Sequence, residues 1–304
     1  MFQTGADPTR LRAHVTALEG ERHRLTSPER LAAAGEYIAD RLGDLGLPVE
    51  RHSFGFQGRQ YHNVIGTRAG NAPSHPRVLV GAHFDTVPGT PGADDNASGV
   101  AAMLETARLL RGVELDGAVE FVGFNLEESQ GITFRLGSRA YAAEARRRGV
   151  RYAGALILEM VGYTDPTPGS QDMPALLFWK RVPQTGTFLA ATGHGRSARL
   201  LRTFADAARE AVEALEVVTF RTPLKGWLVP DTRLSDNASF WDVGYPALML
   251  TDTAFLRNPH YHGHGDRIGT LDFGFMARVT DAVAAAVTRL VGPPTPSRLS
   301  SSPQ

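Results

Sequence analysis

Apolar residues along the chain fall into two patterns, a helical repeat of about 3.6 residues and short runs that are continuous or alternating, and they predict alternating helices and strands. Leu11, Val15 and Leu18 mark a helix over Pro8–Leu18. Leu31, Ala34, Ile38, Leu42 and Leu45 mark a second, opened by Ser27 as N-cap with Pro28 in its first turn and closed by Gly46. Val49–Phe56 and Tyr61–Thr67 read as a hairpin around a glycine-containing turn, and Asn71–Pro76 as a loop. An apolar run from Val78 comes next, then a glycine-rich turn to Gly99 and a helix over Val100–Leu110. Further on, the pattern predicts strands at Val119–Asn125, Ala155–Leu158, Val217–Phe220 and Ala247–Leu250, with helices at Gly137–Arg148, Ser197–Leu215 and Leu271–Val291. Tyr163–Gly186, rich in Pro, Gly, Thr and Asp, reads as loop with one strand at Ala175–Trp179. Fully apolar strands between amphipathic helices imply a three-layer α/β/α fold with a central mixed, mostly parallel sheet, the early hairpin forming an antiparallel edge. One domain is expected over residues 1–291, and residues 292–304 have the composition of a disordered tail.

The carboxyl ends of the predicted strands carry the candidate chemistry. The stretch VLVGAHFDTVPGTPGADDNASG runs from a strand carrying His83 and Asp85 to a turn carrying Asp94 and Asp95. Glu127 and Glu128 come just after the strand at Val119, Glu159 just after the strand at Ala155, and His260, His262 and His264 lie beyond the strand at Ala247. Open α/β sheets bind ligands at this carboxyl edge. Imidazole and carboxylate suit zinc or a similar divalent ion. The supply suits two ions rather than one, and two ions about 3.5–4 Å apart need a bridging carboxylate. Asp95, at a turn where both oxygens can face outward, is the choice for that bridge. Each residue also has a plainer reading: Asp94–Asp95–Asn96 as turn and cap chemistry, Glu127–Glu128 as a solvated strand end, the histidines as an ordinary polar loop. Five segments delivering metal-type ligands to one sheet edge argue against coincidence.

Composition narrows the picture. Arginine and lysine total 32, aspartate and glutamate 32, so no charge excess points to nucleic acid. The absence of cysteine excludes thiolate ligands and disulfides. No apolar run reaches the ~18–20 residues that would cross a bilayer, and the first residues lack the apolar segment of a secretory signal. The expectation is a soluble, cytoplasmic protein without a membrane partner, although removal of a leader would leave a secreted one looking the same.

The pieces GAHFDTV, GADDNASGVAAMLE, FNLEES, LGSRAYA, LEMVGY, SDNASFWDVGYPALMLTDTAFLRNPHYH and LDF, spanning Val78 to Phe273, together resemble the di-zinc aminopeptidases of metallopeptidase family twenty-eight. The resemblance implies a zinc-dependent exopeptidase acting on a peptide or small amide. It implies two Zn2+ ions bridged by Asp95, one completed by His83 and Glu159, the other by Glu128 and His262. Glu127 would be the general base, Asp85 would hold the second nitrogen of His83, and Tyr261 would donate to the tetrahedral oxyanion. It further implies a cis peptide between Asp95 and Asn96. Two departures stand out: Glu159 occupies a position where many relatives have Asp, and Tyr261–His262–Gly263–His264–Gly265–Asp266 leaves His264 competing with His262, with motif register favouring His262. Asp94 reads as turn support and His260 as polar scaffolding.

Rival readings are a carboxypeptidase or amidohydrolase on the same ions, and a homologue without catalysis. Carboxylates such as Glu127, Glu159 and Asp252 would suit an α-ammonium, whereas Arg221, Lys225, Arg233 and Arg257 would suit a carboxylate. The loop Tyr163–Gly186 and the segment Arg221–Trp241 are the expected specificity elements; Phe178, Trp179, Trp227 and Trp241 could line an apolar pocket, although packing in the core is the commoner role for any one of them.

Overall fold

A computed structural model describes residues 5–128, 133–173 and 183–293. The helices are α1 (Pro8–Leu18), α2 (Pro28–Asp44), α3 (Gly99–Leu109), α4 (Leu136–Arg147), α5 (Ala198–Ala211), α6 (Asn237–Asp242) and α7 (Phe273–Val291). The strands are β1 (Val49–Phe56), β2 (Arg59–Arg68), β3 (Arg77–His83), β4 (Val119–Phe124), β5 (Tyr152–Leu158), β6 (Leu189–Gly193), β7 (Val217–Arg221) and β8 (Ala247–Thr251). They form one mixed sheet in the order β1-β2-β4-β3-β5-β8-β6-β7. The four middle strands, β4, β3, β5 and β8, run parallel. The hairpin makes one antiparallel edge, and β6 pairs antiparallel with β8, a second reversal that the hydrophobic pattern does not predict.

Period-two alternation divides the middle strands between two cores. Val78 and Val80 of β3, Leu156 and Leu158 of β5, and Leu248 and Leu250 of β8 face the layer of α1, α2, α3, α5 and α7. Leu79, Ile157 and Ala247 face the opposite layer of α4 and α6, around Phe240 and the fully buried Trp241. Both faces are therefore apolar, as a covered parallel sheet requires.

Most predicted elements are present within a few residues. Two were missed: β6, whose Leu-Ala-Ala-Thr-Gly carries little β signal, and the single-turn-plus α6. Helix α5 ends at Ala211, short of the predicted Leu215. Ser27 does sit at the N-cap of α2, but its hydroxyl accepts from the His23 N–H and caps nothing in the helix. The predicted strand at residues 175–179 and most of the tail lie outside the described residues. No helix among the described residues is long and apolar enough to cross a membrane.

Arg22 ties the lead-in to the middle of the sheet. Its side chain is almost fully buried, and its guanidinium donates to the carbonyls of Leu18 at the end of α1, Gly20 just beyond it, Phe84 after β3, and Pro91 and Gly92 in the turn before α3. Burial brings its pKa down to about 10, against the pull of Asp266, Asp95 and Asp85. Gly92 adopts φ +66, the left-handed region, and an added Cβ would run into Asp95 O and Arg22 Nη2. Arg22→Met would strand several buried carbonyls at once. We expect it to destabilise the fold by at least about 3 kcal/mol in urea unfolding, with no rescue by lysine, which cannot reach so many acceptors. A midpoint unchanged from the wild type would contradict this role.

Candidate metal centre

Parallel strands end at the same edge, so β4, β3, β5 and β8 bring the residues just beyond them together. His83 closes β3, Glu127 and Glu128 come after β4, Glu159 after β5, and the loop after β8 carries Tyr261 and His262. Asp95 comes from the turn between β3 and α3, where the Asp95–Asn96 peptide is cis. Asn96 fastens that turn to β5: its amide donates to Leu158 O at 2.9 Å, and its oxygen accepts from Met160 N at 3.1 Å.

Asp95 presents one oxygen to each histidine. Its Oδ1 lies 3.3 Å from His83 Nε2 and its Oδ2 3.1 Å from His262 Nε2. His83 Nε2 is also 3.4 Å from Glu159 Oε2, and His262 Nε2 is 3.4 Å from Glu128 Oε1. Two triads with a common member result, His83–Asp95–Glu159 and Asp95–Glu128–His262, each with potential ligand atoms within 4.8 Å of one another. A third grouping, His83–Glu127–Glu128, places Glu127 at the same centre. Glu127 Oε1 and Asp95 Oδ1 are buried and accept no hydrogen bond. Nitrogen and oxygen donors gathered at this spacing, with carboxylate oxygens left without protein donors, fit divalent ions such as zinc.

The surrounding residues hold this set in place. Asp85 faces His83 Nδ1 at 3.6 Å, longer than a hydrogen bond, while its two oxygens accept from the Glu127 and Glu128 N–H groups at 3.0 and 3.1 Å. It anchors the glutamate turn as well as facing the imidazole. Asp266, which sequence reasoning gave no role, accepts from the Asp94 and Asp95 N–H groups at 2.7 and 3.0 Å. Asp94 does act as support, accepting from Gly162 N and Asn258 Nδ2. Ser235 donates to Glu159 Oε2 at 2.6 Å. Among the described residues neither His260 nor His264 joins a ligand grouping. Tyr261 stacks on His262 with ring centroids 3.8 Å apart.

Several specificity expectations need correction. Asp252 is fully buried and accepts from Tyr163 N and Ala254 N, so it cannot meet a substrate ammonium. Arg257 is committed to Gln171 and Phe188 O, and Arg233 to Asp242 and Lys225 O. Trp241 belongs to the core and donates to Ala247 O, and Trp227 lies exposed beneath Arg233. Phe178 and Trp179 lie outside the described residues. The apolar pocket beside Glu159 and Tyr261 is instead floored by Phe188, Val218, Phe220 and Met249, and has a volume of about 260 Å³.

The sequence model of Peptidase family M28 matches residues 63–287. The Escherichia coli (strain K12) protein YfbL, described as uncharacterized, is 35% identical over 267 residues, covering 84% of this chain and 79% of its own. An aminopeptidase from Aneurinibacillus sp. strain AM-1 shares the fold at a TM-score of 0.72, with 17% identity and 95% of both chains covered. BSAP, a zinc aminopeptidase from Bacillus subtilis, superposes at a TM-score of 0.59 with 25% identity, over 79% of this chain and 52% of that one.

Charge dominates the energetics of this edge. Burial works against ionised Asp95, but His262 and His83 overcome it and hold its carboxyl well below the usual range. Burial likewise opposes the charged forms of both histidines; Glu159, Asp85 and Asp95 nevertheless raise His83, and Asp95 and Glu128 raise His262 to about 10. Burial, then Asp95, pushes Glu128 to about 7, while burial and Asp94 bring Asp266 to about 7. Asp252, raised chiefly by burial, reaches about 6. A carboxyl raised on folding keeps a proton that the unfolded chain has released, so rising pH favours unfolding across that window. The metal-free protein should therefore lose stability from about pH 4 to 7, and raised His262 extends the same slope above neutrality. Urea midpoints of chelator-treated protein at pH 5 and 7.5 test this, since a flat or rising profile would contradict it. Added zinc should reverse the slope by displacing those protons.

Proposed function

The chain belongs to peptidase family M28, and on that premise we propose that it is a zinc-dependent aminopeptidase that releases amino-terminal residues with apolar side chains through a two-ion centre. The observation that carries this reading is the pair of triads sharing Asp95 beside an apolar pocket. His83 and Glu159 would hold one ion, Glu128 and His262 the other, with Asp95 between them. Two such ions supply an acidified water and polarise the scissile carbonyl.

The remaining work falls to side chains. Glu127 is buried at the centre with an unpartnered oxygen. Burial raises its pKa well above the ordinary carboxyl value, with Asp236 and Glu128 adding to the rise and His83 opposing it. It takes a proton from the attacking water and returns it to the leaving nitrogen as the carbon–nitrogen bond breaks, leaving a carboxylate product and an amine. The Tyr261 hydroxyl donates to the carbonyl oxygen as negative charge develops there. Burial, reinforced by Asp95 and Glu128, raises its pKa, so it keeps the proton it needs to donate. Asp85 and Asp266 keep the glutamate turn and the Asp94–Asp95 turn in register through their backbone N–H groups. Around the centre, Glu127, Glu128 and Glu159 favour a substrate carrying an α-ammonium over one carrying a carboxylate on that side.

Glu127→Gln should retain both ions by metal analysis yet lower kcat by a factor of about 10² to 10⁴; near-normal turnover would reject it as the base. For the wild type, we expect cleavage of leucine p-nitroanilide and free peptides that is abolished by chelation and restored by zinc. N-acetylated peptides should resist cleavage, and their hydrolysis would favour the carboxypeptidase or amidohydrolase alternative.

A further inference from the structure

The glutamate turn carries a buried cation to which the reaction as described gives no task. Arg135 is 6% exposed, stands in the left-handed region at φ 60, and donates its backbone N–H to Glu127 O at 2.7 Å. Its guanidinium lies over the Phe134 ring at 4.4 Å, but Nε and Nη1 are buried without any hydrogen-bond partner. Other buried arginines differ, since Arg22, Arg233 and Arg257 all donate to protein oxygens. A buried guanidinium with idle N–H groups is costly unless an anion meets it. Among the described residues no carboxylate forms an ion pair with it, although Glu127 and then Asp236 act on it most strongly through their charge.

Its place relative to Glu127 says which anion would fit. Glu127 returns its proton to the leaving nitrogen, and the backbone bond from Arg135 to Glu127 O sets this cation on the same turn, which we read as the leaving-group side of the scissile bond. In a dipeptide, a single α-carbon separates that nitrogen from a carboxylate, whereas a longer peptide has a neutral carbonyl there. We propose that Arg135 binds the carboxylate of the leaving residue and makes the enzyme selective for dipeptides over longer or amidated substrates. This inference rests on the aminopeptidase reading and adds the substrate's length and terminal charge to it. The forked N–H geometry of guanidinium matches a carboxylate, which a lysine ammonium meets only as a point charge.

Kinetics on zinc-loaded enzyme with leucyl-glycine and leucyl-glycinamide tests the proposal. The wild type should favour the free acid by ten- to a hundredfold in kcat/KM, mostly through KM. Arg135→Met should bring the two substrates within about twofold, and Arg135→Lys should recover part of the preference. Equal cleavage of acid and amide by the wild type would overturn the proposal without reference to any variant. An equal loss on both substrates in Arg135→Met would also overturn it, assigning Arg135 to the support of Glu127. Failure of the wild type to cleave leucine p-nitroanilide as well would overturn the aminopeptidase reading along with it, whereas cleavage of that substrate without an acid preference would sink only this inference.

Discussion

Like charge forced together out of water is the constraint on which the active edge depends. Asp85, Asp94, Asp95, Glu127, Glu128, Glu159, Asp236, Asp252 and Asp266 are all buried there. The fold treats them in two ways. Asp85, Asp94, Asp252 and Asp266 spend their oxygens mainly on backbone N–H groups, which stabilise a carboxylate without adding a mobile charge. Asp95, Glu128 and Glu159 instead face the imidazole nitrogens of His83 and His262, and Glu127 keeps an oxygen with no donor. The first group builds turns; the second is left for chemistry. Asp236 belongs to neither: both its oxygens are buried without a partner, and burial raises its pKa to about 7 against the opposing charge of His83.

Sheet topology explains why that second group meets. Four neighbouring parallel strands end together, so residues from positions 83 to 159 converge without long excursions, and the loop after β8 returns to the same edge. Arg22 then fixes the turn carrying Asp95 relative to β3, and Asp266 fixes it from the far side through a contact 171 residues away in sequence. Rigid elements supply position, while these two side chains set the orientation of the turn.

Much of this was legible in the sequence. Fully apolar runs marked β3, β5 and β8, and a metal-type residue after each marked the edge. The residues hardest to read were those whose partners lie far away in sequence or are main-chain atoms. Arg22 reads as one more arginine in a charged segment, because its acceptors are carbonyls that leave no mark in a sequence. Asp266 was noticed only as part of a departure from a motif. β6 was invisible because small residues suffice in a strand packed between β8 and β7. Trp241 admits two readings from sequence, a pocket wall or core packing, and its volume fills the core beneath α6, the commoner fate of a large aromatic.

The missed strand also explains the pocket. On the β8–β6–β7 side, Leu189, Ala191, Leu248 and Leu250 turn toward the large helical layer. Their alternating neighbours, Phe188, Ala190, Thr192, Val218, Phe220, Met249 and Thr251, line the pocket on the other face. Helices α4 and α6 fill that face opposite β4, β3 and β5, and among the described residues neither extends over β6 and β7. An apolar sheet face is thus left for a ligand beside Glu159 and Tyr261. Burying one Leu- or Phe-sized side chain there contributes about 1.5–3 kcal/mol, roughly a ten- to hundredfold preference over glycine. That gain requires only a sheet face without its helix, so in the proposed function it is the antiparallel strand added beyond β8 that would give the site its side-chain preference.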